Sequence, residues 1–262
     1  MALADASPGT QRVISAVILA PLPLAAIWYG GAYLAVLTAL AAAVMAWEWA
    51  RLCGGGRVAP SGLVLIGAAL AAVAAAALWG LAAGLAAAFA GAALAYALTR
   101  RLRALGVLWI ALPCVVLLWL AEAYGRATVL WLFAVVWATD IGAYEIGRRV
   151  GGRRLAPRWS PGKTWAGLVG GTGCAALAGW AAAQLLAVAP AWPLILASAG
   201  LAIVEQFGDL AESVAKRRFG VKDSGGLIPG HGGLLDRLDG LLAAIPAAAL
   251  LSLCGGGVAT WR

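Results

Sequence analysis

Charge is scarce in this chain, since only 11% of its 262 residues are Asp, Glu, Lys or Arg and 63% are hydrophobic. A soluble domain usually carries roughly 25% charged residues. Histidine occurs once, and the four cysteines show no CxxC spacing, so they indicate neither a zinc site nor a disulfide framework. These deficits argue against a soluble enzyme and favour an integral membrane protein.

Long apolar segments recur along the chain. A helix needs about 20 such residues to cross a hydrocarbon core of ~30 Å, and a helix satisfies its backbone groups within one segment. We therefore predict an all-α fold, a polytopic transmembrane helical bundle of about nine spans. The predicted spans are residues 13–29, 32–50, 62–79, 81–98, 105–122, 127–147, 164–187, 193–212 and 238–254.

The basic residues predict an orientation with a cytoplasmic N-terminus. In that orientation 17 of the 19 Lys and Arg residues face the cytoplasm, and only Arg126 and Arg262 lie outside. Membrane proteins carry such an excess of basic residues in their cytoplasmic loops. The net charge of +8 is thus explained by topology, and we expect no nucleic-acid partner.

Tryptophans near predicted span ends are expected to anchor the helices at the membrane interface. The residues concerned are Trp28, Trp47, Trp49, Trp79, Trp192 and Trp261.

Polar residues divide the chain into two predicted regions. Residues 1–99 form N-terminal membrane helices, in which Glu48 is interpreted as an interfacial ion pair with Arg51. Residues 100–262 form a catalytic membrane region whose polar site faces the cytoplasm. Three polar segments of that region are separated by even numbers of spans and therefore return to one face. They are Asp140–Arg158, Ser160–Thr164 and Asp209–Asp239.

In the first polar segment, Asp140, Tyr144 and Arg148 follow i, i+4, i+8 spacing and share one helical face. Asp140 interrupts an apolar run, so we expect it to face the bundle interior or a water-filled cavity. Ionisable groups at membrane depth are costly and usually functional. A network that merely holds helices together stays an alternative.

The second polar segment, Ser160–Thr164, is predicted to open the seventh span, because Ser caps helices well and Pro is favoured in their first turn. A helix N-terminus presents free N–H groups and a partial positive charge, and Lys163 adds a full one. This combination favours a phosphate group. It is not a P-loop, because the GxxxxGK spacing and the preceding strand are both missing.

The third polar segment concentrates the chemistry. Its carboxylates fall on common helical faces, with Asp236 three residues before Asp239. Oxygen ligands of this kind suit Mg²⁺, which leaves room for substrate phosphates, while Lys and Arg offset phosphate charge. His231 is interpreted as a phosphate or loop contact, with a general base or a structural residue as alternatives. One face of the eighth span carries Asp209, Glu212, Ser213 and Lys216.

The stretch from Ser213 to Asp239, SVAKRRFGVKDSGGLIPGHGGLLDRLD, resembles the signature of the phosphatidate cytidylyltransferases, also called CDP-diglyceride synthases. The similarity extends to GDLAES (208–213), ATDIGAYEIGR (138–148) and LAPRWSPGKTW (155–165). It covers roughly residues 130–245, whereas residues 1–100 resemble the family only in hydropathy. Ala166 is a departure, since relatives often have a polar residue there.

The resemblance implies an enzyme of the bacterial inner membrane that joins CTP and phosphatidic acid to give CDP-diacylglycerol and pyrophosphate, with Mg²⁺ and an active site facing the cytoplasm. It also implies a homodimer, and a second cation is left open. The metal ligands would be Asp223, Asp236 and Asp239. Catalytic contacts would come from Ser213, Lys216, Arg217, Lys222 and His231, and substrate contacts from Asp140, Tyr144, Arg148, Lys163, Asp209 and Arg237.

Three other functions are weighed against this one. A CTP-dependent enzyme acting on another lipid, such as a CDP-archaeol synthase or a polyprenol kinase, would be distinguished by its products, because a kinase releases CDP. A transporter would be expected to show related halves and discontinuous helices, but the polar segments occur only in the second half. An inactive scaffold is disfavoured because all the candidate ligands are present.

Overall fold

The structure, a computed structural model, describes residues 20–98, 101–227 and 232–258, and these are almost entirely helical. The helices are α1 (Pro21–Tyr29), α2 (Gly31–Cys53), α3 (Pro60–Trp79), α4 (Leu81–Leu98), α5 (Arg101–Val150), α6 (Trp165–Leu185), α7 (Trp192–Arg218) and α8 (Leu235–Gly255). Two short strands, β1 (Arg154–Ala156) and β2 (Ser160–Thr164), lie between α5 and α6.

Seven helices of the described residues are long and apolar enough to cross a membrane, which confirms a helical membrane protein. Among them, α5 has 50 residues and, at about 1.5 Å per residue, would measure roughly 75 Å if it were straight. It is broken at Gly125, whose φ of 79° and ψ of 167° are not helical. The break falls between the predicted spans 105–122 and 127–147. The predicted count of nine spans stays a prediction, and residues 13–19 of the first span lie outside the described part.

The surface of these helices is strongly apolar. Leu78, Leu177 and Leu196 are 69%, 66% and 62% exposed. Large apolar patches on soluble proteins are rare, whereas a lipid-facing helix needs apolar side chains of this kind. Trp28 and Trp79 are exposed at the ends of α1 and α3, and their interfacial positions stay a prediction.

The first of two compact units comprises Met1–Trp119 and Arg218–Leu238. Within it, α3 packs against α2 and α4. Small residues allow the close approach, because a Cβ added to Gly91 or to Gly84 would lie 2.6 Å from the Cβ of Ala68 or Ala76 respectively. Membrane helices associate through such tight van der Waals contacts, since lipid tails offer no hydrophobic driving force between them.

Trp49 of α2 belongs to the interior of this unit. It is only 5% exposed, so its predicted role as an interfacial anchor is wrong. Its ring meets Phe219 edge to face, with centroids 6.2 Å apart. On another side the indole lies so close to Gly106 of α5 that any side chain there would overlap it. Helix α2 therefore contacts both α5 and the segment after α7 within the unit.

The second unit comprises Leu120–Arg217 and Asp239–Arg262. Glycines of α6 pack directly on the backbone of α5. A Cβ on Gly167 would lie 2.8 Å from the carbonyl oxygen of Ala143, and one on Gly171 would lie 2.9 Å from that of Thr139. These two positions fix α6 against the part of α5 that carries Asp140.

The two strands form an antiparallel hairpin in the second unit, in which Arg154 pairs with Thr164 and Ala156 with Ser160. The prediction that Ser160–Thr164 opens a helix is therefore wrong. The backbone of this segment pairs with β1 instead, and α6 begins at Trp165. Thr164 is its N-cap, and its hydroxyl oxygen accepts a hydrogen bond from the Gly167 N–H at 3.0 Å.

Helices α7 and α8 cross closely at Gly208 within the second unit. A Cβ at this position would overlap the methyl group of Ala243 and lie 3.2 Å from the backbone oxygen of Asp239. The glycine thus lets α7 approach the start of α8 at the level of Asp209.

We expect Gly208→Ala to destabilise the protein by ~1–3 kcal/mol, because the added methyl group overpacks this crossing. Gly200→Ala on the same helix is the matched control, since a Cβ there would meet nothing within 4 Å. Thermal unfolding in detergent should show a lower melting temperature for Gly208→Ala only. Equal melting temperatures for the two variants would contradict the close crossing.

Candidate active site

Four carboxylates of the second unit come together from three helices. Asp140 of α5 and Asp209 of α7 both exert their charge on Glu205 of α7 and on Asp239 of α8. Glu205 is 2% exposed. Gly240 makes room for it, because a Cβ there would lie 2.5 Å from the Glu205 Oε1 atom. The close approach of α7 and α8 at Gly240 therefore determines the position of the Glu205 carboxylate.

Lys163 connects the second and third polar segments. Its ammonium nitrogen lies 2.7 Å from Asp209 Oδ2 and donates a hydrogen bond to the carbonyl oxygen of Gln206 at 3.1 Å. The other Asp209 oxygen, Oδ1, accepts the hydroxyl of Ser213 at 3.3 Å. Three residues predicted to serve the site, Lys163, Asp209 and Ser213, thus form one connected group within the second unit.

Lys216 has a different environment from the one expected for a phosphate ligand. Its ammonium nitrogen lies 3.1 Å from Glu212 Oε1, one helical turn earlier. The Glu212 side chain is fully buried, and 9% of the Lys216 side chain is exposed. A buried charge is tolerated when it is paired. The structure thus pairs Lys216 with Glu212, and the charge of Lys216 also acts on Asp239.

Acidic groups outnumber basic ones in this cluster of the second unit. Five carboxylates face two ammonium groups, an excess of three negative charges when all are ionised. Glu205 Oε2 accepts no hydrogen bond from any described residue. Protonation or a bound cation would relieve the repulsion among these neighbouring carboxylates, so a cationic ligand suits the cluster. The carboxylates are Asp140, Glu205, Asp209, Glu212 and Asp239, and the ammonium groups are Lys163 and Lys216.

The chemistry of these donors suits Mg²⁺, a hard cation that prefers oxygen ligands. In the residues that the structure describes, no group of three His, Cys, Asp or Glu side chains is arranged to hold a metal ion. Side-chain rotation would have to bring the carboxylates closer. The predicted ligands Asp223, Asp236 and Asp239 therefore stay a prediction.

Asp236 lies in the first unit and organises the backbone before α8. Its Oδ2 atom accepts hydrogen bonds from the N–H groups of Ser224 at 2.8 Å and Gly233 at 2.9 Å, and the residue is 8% exposed. The neighbouring Lys222 and Arg237 are exposed in the same unit, as is Asp223. This unit thus presents one acidic and two basic side chains on a segment held by Asp236.

Glu48 was expected to pair with Arg51, and this prediction is wrong. Glu48 is fully buried, and its carboxylate accepts hydrogen bonds from the N–H groups of Leu234 at 2.9 Å and Leu235 at 2.7 Å. Arg51 instead lies over the ring of Trp47, 4.8 Å from its centroid. The backbone donors of Glu48 lie 186 and 187 residues away along the chain, so sequence spacing does not reveal them.

The predicted face of α5 is exposed at Asp140, Tyr144 and Arg148. The guanidinium of Arg148 lies 5.7 Å from the centroid of the Tyr144 ring and 3.9 Å from the carboxylate of Glu145. Asp140 is the member of this face that acts on the carboxylate cluster.

Two other predicted residues are Arg217 and His231. Arg217 is exposed, and its Nε donates a hydrogen bond to the Trp159 carbonyl oxygen at 3.3 Å, which ties α7 to the hairpin. His231 lies outside the described residues. Glu205 is not among the residues predicted for the site, although an acidic residue within the apolar run 201–207 is itself a signal of function.

Known proteins are similar to this chain. Phosphatidate cytidylyltransferase of Brucella suis is 55% identical over 134 residues, which are 51% of this chain and 48% of the relative. This chain thus matches about half the length of that relative. The enzyme of the same name from Haemophilus influenzae is 44% identical over 128 residues, 47% of this chain and 44% of the relative.

Another relative matches along nearly its whole length. Phosphatidate cytidylyltransferase of Pseudomonas aeruginosa is 39% identical over 279 aligned positions, 94% of this chain and 98% of the relative. The model of the cytidylyltransferase family also matches residues 10–254. Both similarities include the helices of the first unit as well as the segments that carry the site. The chain therefore belongs to the cytidylyltransferase family.

Proposed function

We propose that the protein is a phosphatidate cytidylyltransferase that joins CTP and phosphatidic acid to give CDP-diacylglycerol and pyrophosphate. The observation that carries this proposal is the carboxylate and ammonium cluster around Lys163 and Asp209, which lies in segments of membrane helices that bear the family's signature. The relatives named above carry the same activity in their names. A lipid substrate fits a protein of apolar helices with a polar cluster.

The reaction is an in-line displacement at phosphorus. An oxygen of the lipid phosphate attacks the α-phosphorus of CTP, and a new P–O bond forms. The bond between the α-phosphorus and the bridging oxygen to the β-phosphorus breaks, and pyrophosphate leaves with the electron pair. The lipid phosphate is already anionic at neutral pH, so the step needs no general base. Positioning and charge neutralisation supply most of the catalysis in such transfers.

We assign the phosphate contacts to exposed basic side chains. Arg217 of the second unit, and Lys222 and Arg237 of the first, are exposed and are able to meet phosphate oxygens. Lys163 would act while held by Asp209, which orients its ammonium group. The predicted contacts of Lys216 would require it to exchange its partner Glu212 for phosphate.

Mg²⁺ would be held by Asp239 with Asp209 and Asp140, whose charges already act on one another, and it would offset charge on the transferring phosphate. Asp223 and Asp236 stay proposed ligands in the first unit, with one Asp236 oxygen already bound to two N–H groups. A second cation stays open. The homodimer implied by the resemblance would be tested by the particle mass in detergent.

We also propose nine spans with a cytoplasmic N-terminus in a bacterial inner membrane. The break at Gly125 supports this count, because it divides α5 into two segments of 24 and 25 residues, 101–124 and 126–150. The excess of basic residues on alternate loops supports the orientation. The active site then faces the cytoplasm, where CTP is available.

This topology predicts opposite labelling of two loops. In a protein whose native cysteines are replaced, a membrane-impermeant maleimide added to intact cells should label Arg126→Cys and leave Arg153→Cys unlabelled. Both arginines are exposed, so side-chain burial does not explain a difference. Breaking the cells should expose the second site. The reverse pattern would contradict the proposed orientation.

The activity is tested with purified protein, phosphatidic acid, Mg²⁺ and CTP labelled in its cytosine. Label should move into the lipid with an equal release of pyrophosphate, and EDTA should abolish this transfer. Asp209→Asn should lower kcat at least roughly 100-fold, because it leaves Lys163 without its charged partner. Glu122→Gln, a change at an exposed carboxylate of α5, is the control and should behave as wild type.

Each other outcome has a definite meaning. Release of CDP with no label in the lipid would indicate a CTP-dependent kinase. Transfer to a different lipid only would indicate a related cytidylyltransferase. Folded protein that turns over no CTP with any lipid would contradict the proposed activity.

A further inference from the structure

We propose that Glu48 is a positioning residue, which holds the backbone that carries the proposed substrate and metal contacts Lys222, Asp223 and Arg237. Glu48 lies in helix α2, and the hydrogen bonds described for its carboxylate come from Ser224 and Leu234, which lie between α7 and α8, and from Leu235, the first residue of α8. The kinetic part of this inference rests on the proposed function. Its structural part concerns the backbone around Ser224 and Leu235 and does not depend on a substrate.

The carboxylate of Glu48 accepts three hydrogen bonds. Oε1 accepts the N–H of Leu234 at 2.9 Å, and Oε2 accepts the N–H of Leu235 at 2.7 Å. Oε2 also accepts the hydroxyl of Ser224 at 3.2 Å. Leu235 is the first residue of α8, so the negative charge lies at the positive end of a helix dipole.

The burial of Glu48 explains why these contacts matter. The residue is 0% exposed, and it forms no ion pair within the described parts of the chain. Its charge must then be stabilised by hydrogen-bond donors, since water is excluded. Moving the Leu234–Leu235 backbone away would leave a carboxylate uncompensated inside the protein. The interaction therefore resists displacement of this segment.

Ser224 joins the Glu48 contacts to those of Asp236. Its hydroxyl binds Glu48, while its N–H binds Asp236, which also holds the N–H of Gly233. Two buried carboxylates from different helices thus hold Ser224 and the backbone of residues 233–235. One of them, Asp236, is encoded within the signature, and the other is encoded about 190 residues earlier.

Glycine is required where Glu48 meets this segment. A Cβ on Gly233 would overlap the Ser224 hydroxyl and lie 2.7 Å from both carboxylate oxygens of Glu48. A Cβ on Gly225 would lie 3.0 Å from the Oε1 atom. The glycines of the signature therefore leave the space that the Glu48 carboxylate occupies.

The fixed residues are direct neighbours of the proposed phosphate and metal contacts. Lys222 and Asp223 precede Ser224, and Arg237 follows Asp236; all three are exposed, unlike the buried residues that hold them. An exposed group on a backbone held by buried hydrogen bonds is preorganised for a ligand. Glu48 touches no substrate in this account and acts through the segment it holds.

The structural part is tested by hydrogen–deuterium exchange without substrate. In Glu48→Gln, the amides of Leu234 and Leu235 should exchange roughly 10- to 100-fold faster, because each loses a charged acceptor. Exchange in α3 and α6 should not change. Glu122→Gln is again the matched control. Wild-type exchange at Leu234 and Leu235 in Glu48→Gln would overturn the inference.

Measurements of kcat and KM distinguish a positioning role of Glu48 from a role in the stability of the protein alone. Glu48→Gln should lower kcat roughly 10- to 100-fold and leave KM for CTP within about threefold of wild type, since alignment rather than binding is lost. Glu48→Asp keeps the charge and should recover part of kcat. A loss of folded protein with normal kcat in the remaining fraction would overturn the inference.

Ser224→Ala keeps the test valid if Glu48→Gln does not fold. It removes one hydroxyl donor, so it should raise exchange at Leu235 and lower kcat less than Glu48→Gln does. In the double variant, the loss of kcat should be smaller than the product of the two single losses, because the residues share one interaction. A simple product, or wild-type behaviour of Ser224→Ala, would overturn the inference.

A wild-type enzyme that transfers no label to the lipid would refute the proposed function. The exchange data would still decide the role of Glu48.

Discussion

The cost of burying a carboxylate among apolar helices is the constraint on which the rest of this structure depends. With so little charge in the chain, an acid among these helices needs a partner, and where that partner comes from a distant segment it determines which segments meet. The protein meets the need in two ways. Glu48 and Asp236 are stabilised by backbone N–H groups, whereas Asp209 and Glu212 are stabilised by lysines.

These two solutions have different consequences for function. Hydrogen bonds from backbone N–H groups fix the course of the chain, and in the first unit they hold the segment that bears Lys222, Asp223 and Arg237. Ion pairs leave the backbone free but orient charged groups, as Lys163 is oriented in the second unit. Glu205 Oε2 is an atom of the cluster to which the described residues donate no hydrogen bond. A divalent cation would offset part of the negative charge of the cluster.

Hydropathy and the signature predicted the helical membrane fold, the helical face shared by Asp209 and Ser213, and the family. The sequence could not show the partner of Glu48, because its donors are backbone groups that α2 meets only after folding. It also misassigned Ser160–Thr164, since Pro and Ser favour a helix start locally, whereas pairing with β1 makes the segment a strand. A long-range contact decided the partner of Glu48, whereas pairing with the neighbouring strand decided the structure of Ser160–Thr164.

The most direct test of this account measures binding of Mn²⁺, as a spectroscopic substitute for Mg²⁺, to the substrate-free protein by electron paramagnetic resonance. The account predicts that wild-type protein binds Mn²⁺ and that Asp239→Asn weakens this binding at least roughly tenfold, because Asp239 belongs to the surplus of carboxylates. Equal binding by the two proteins, or none by the wild type, would contradict the claim that a divalent cation offsets the acidic cluster.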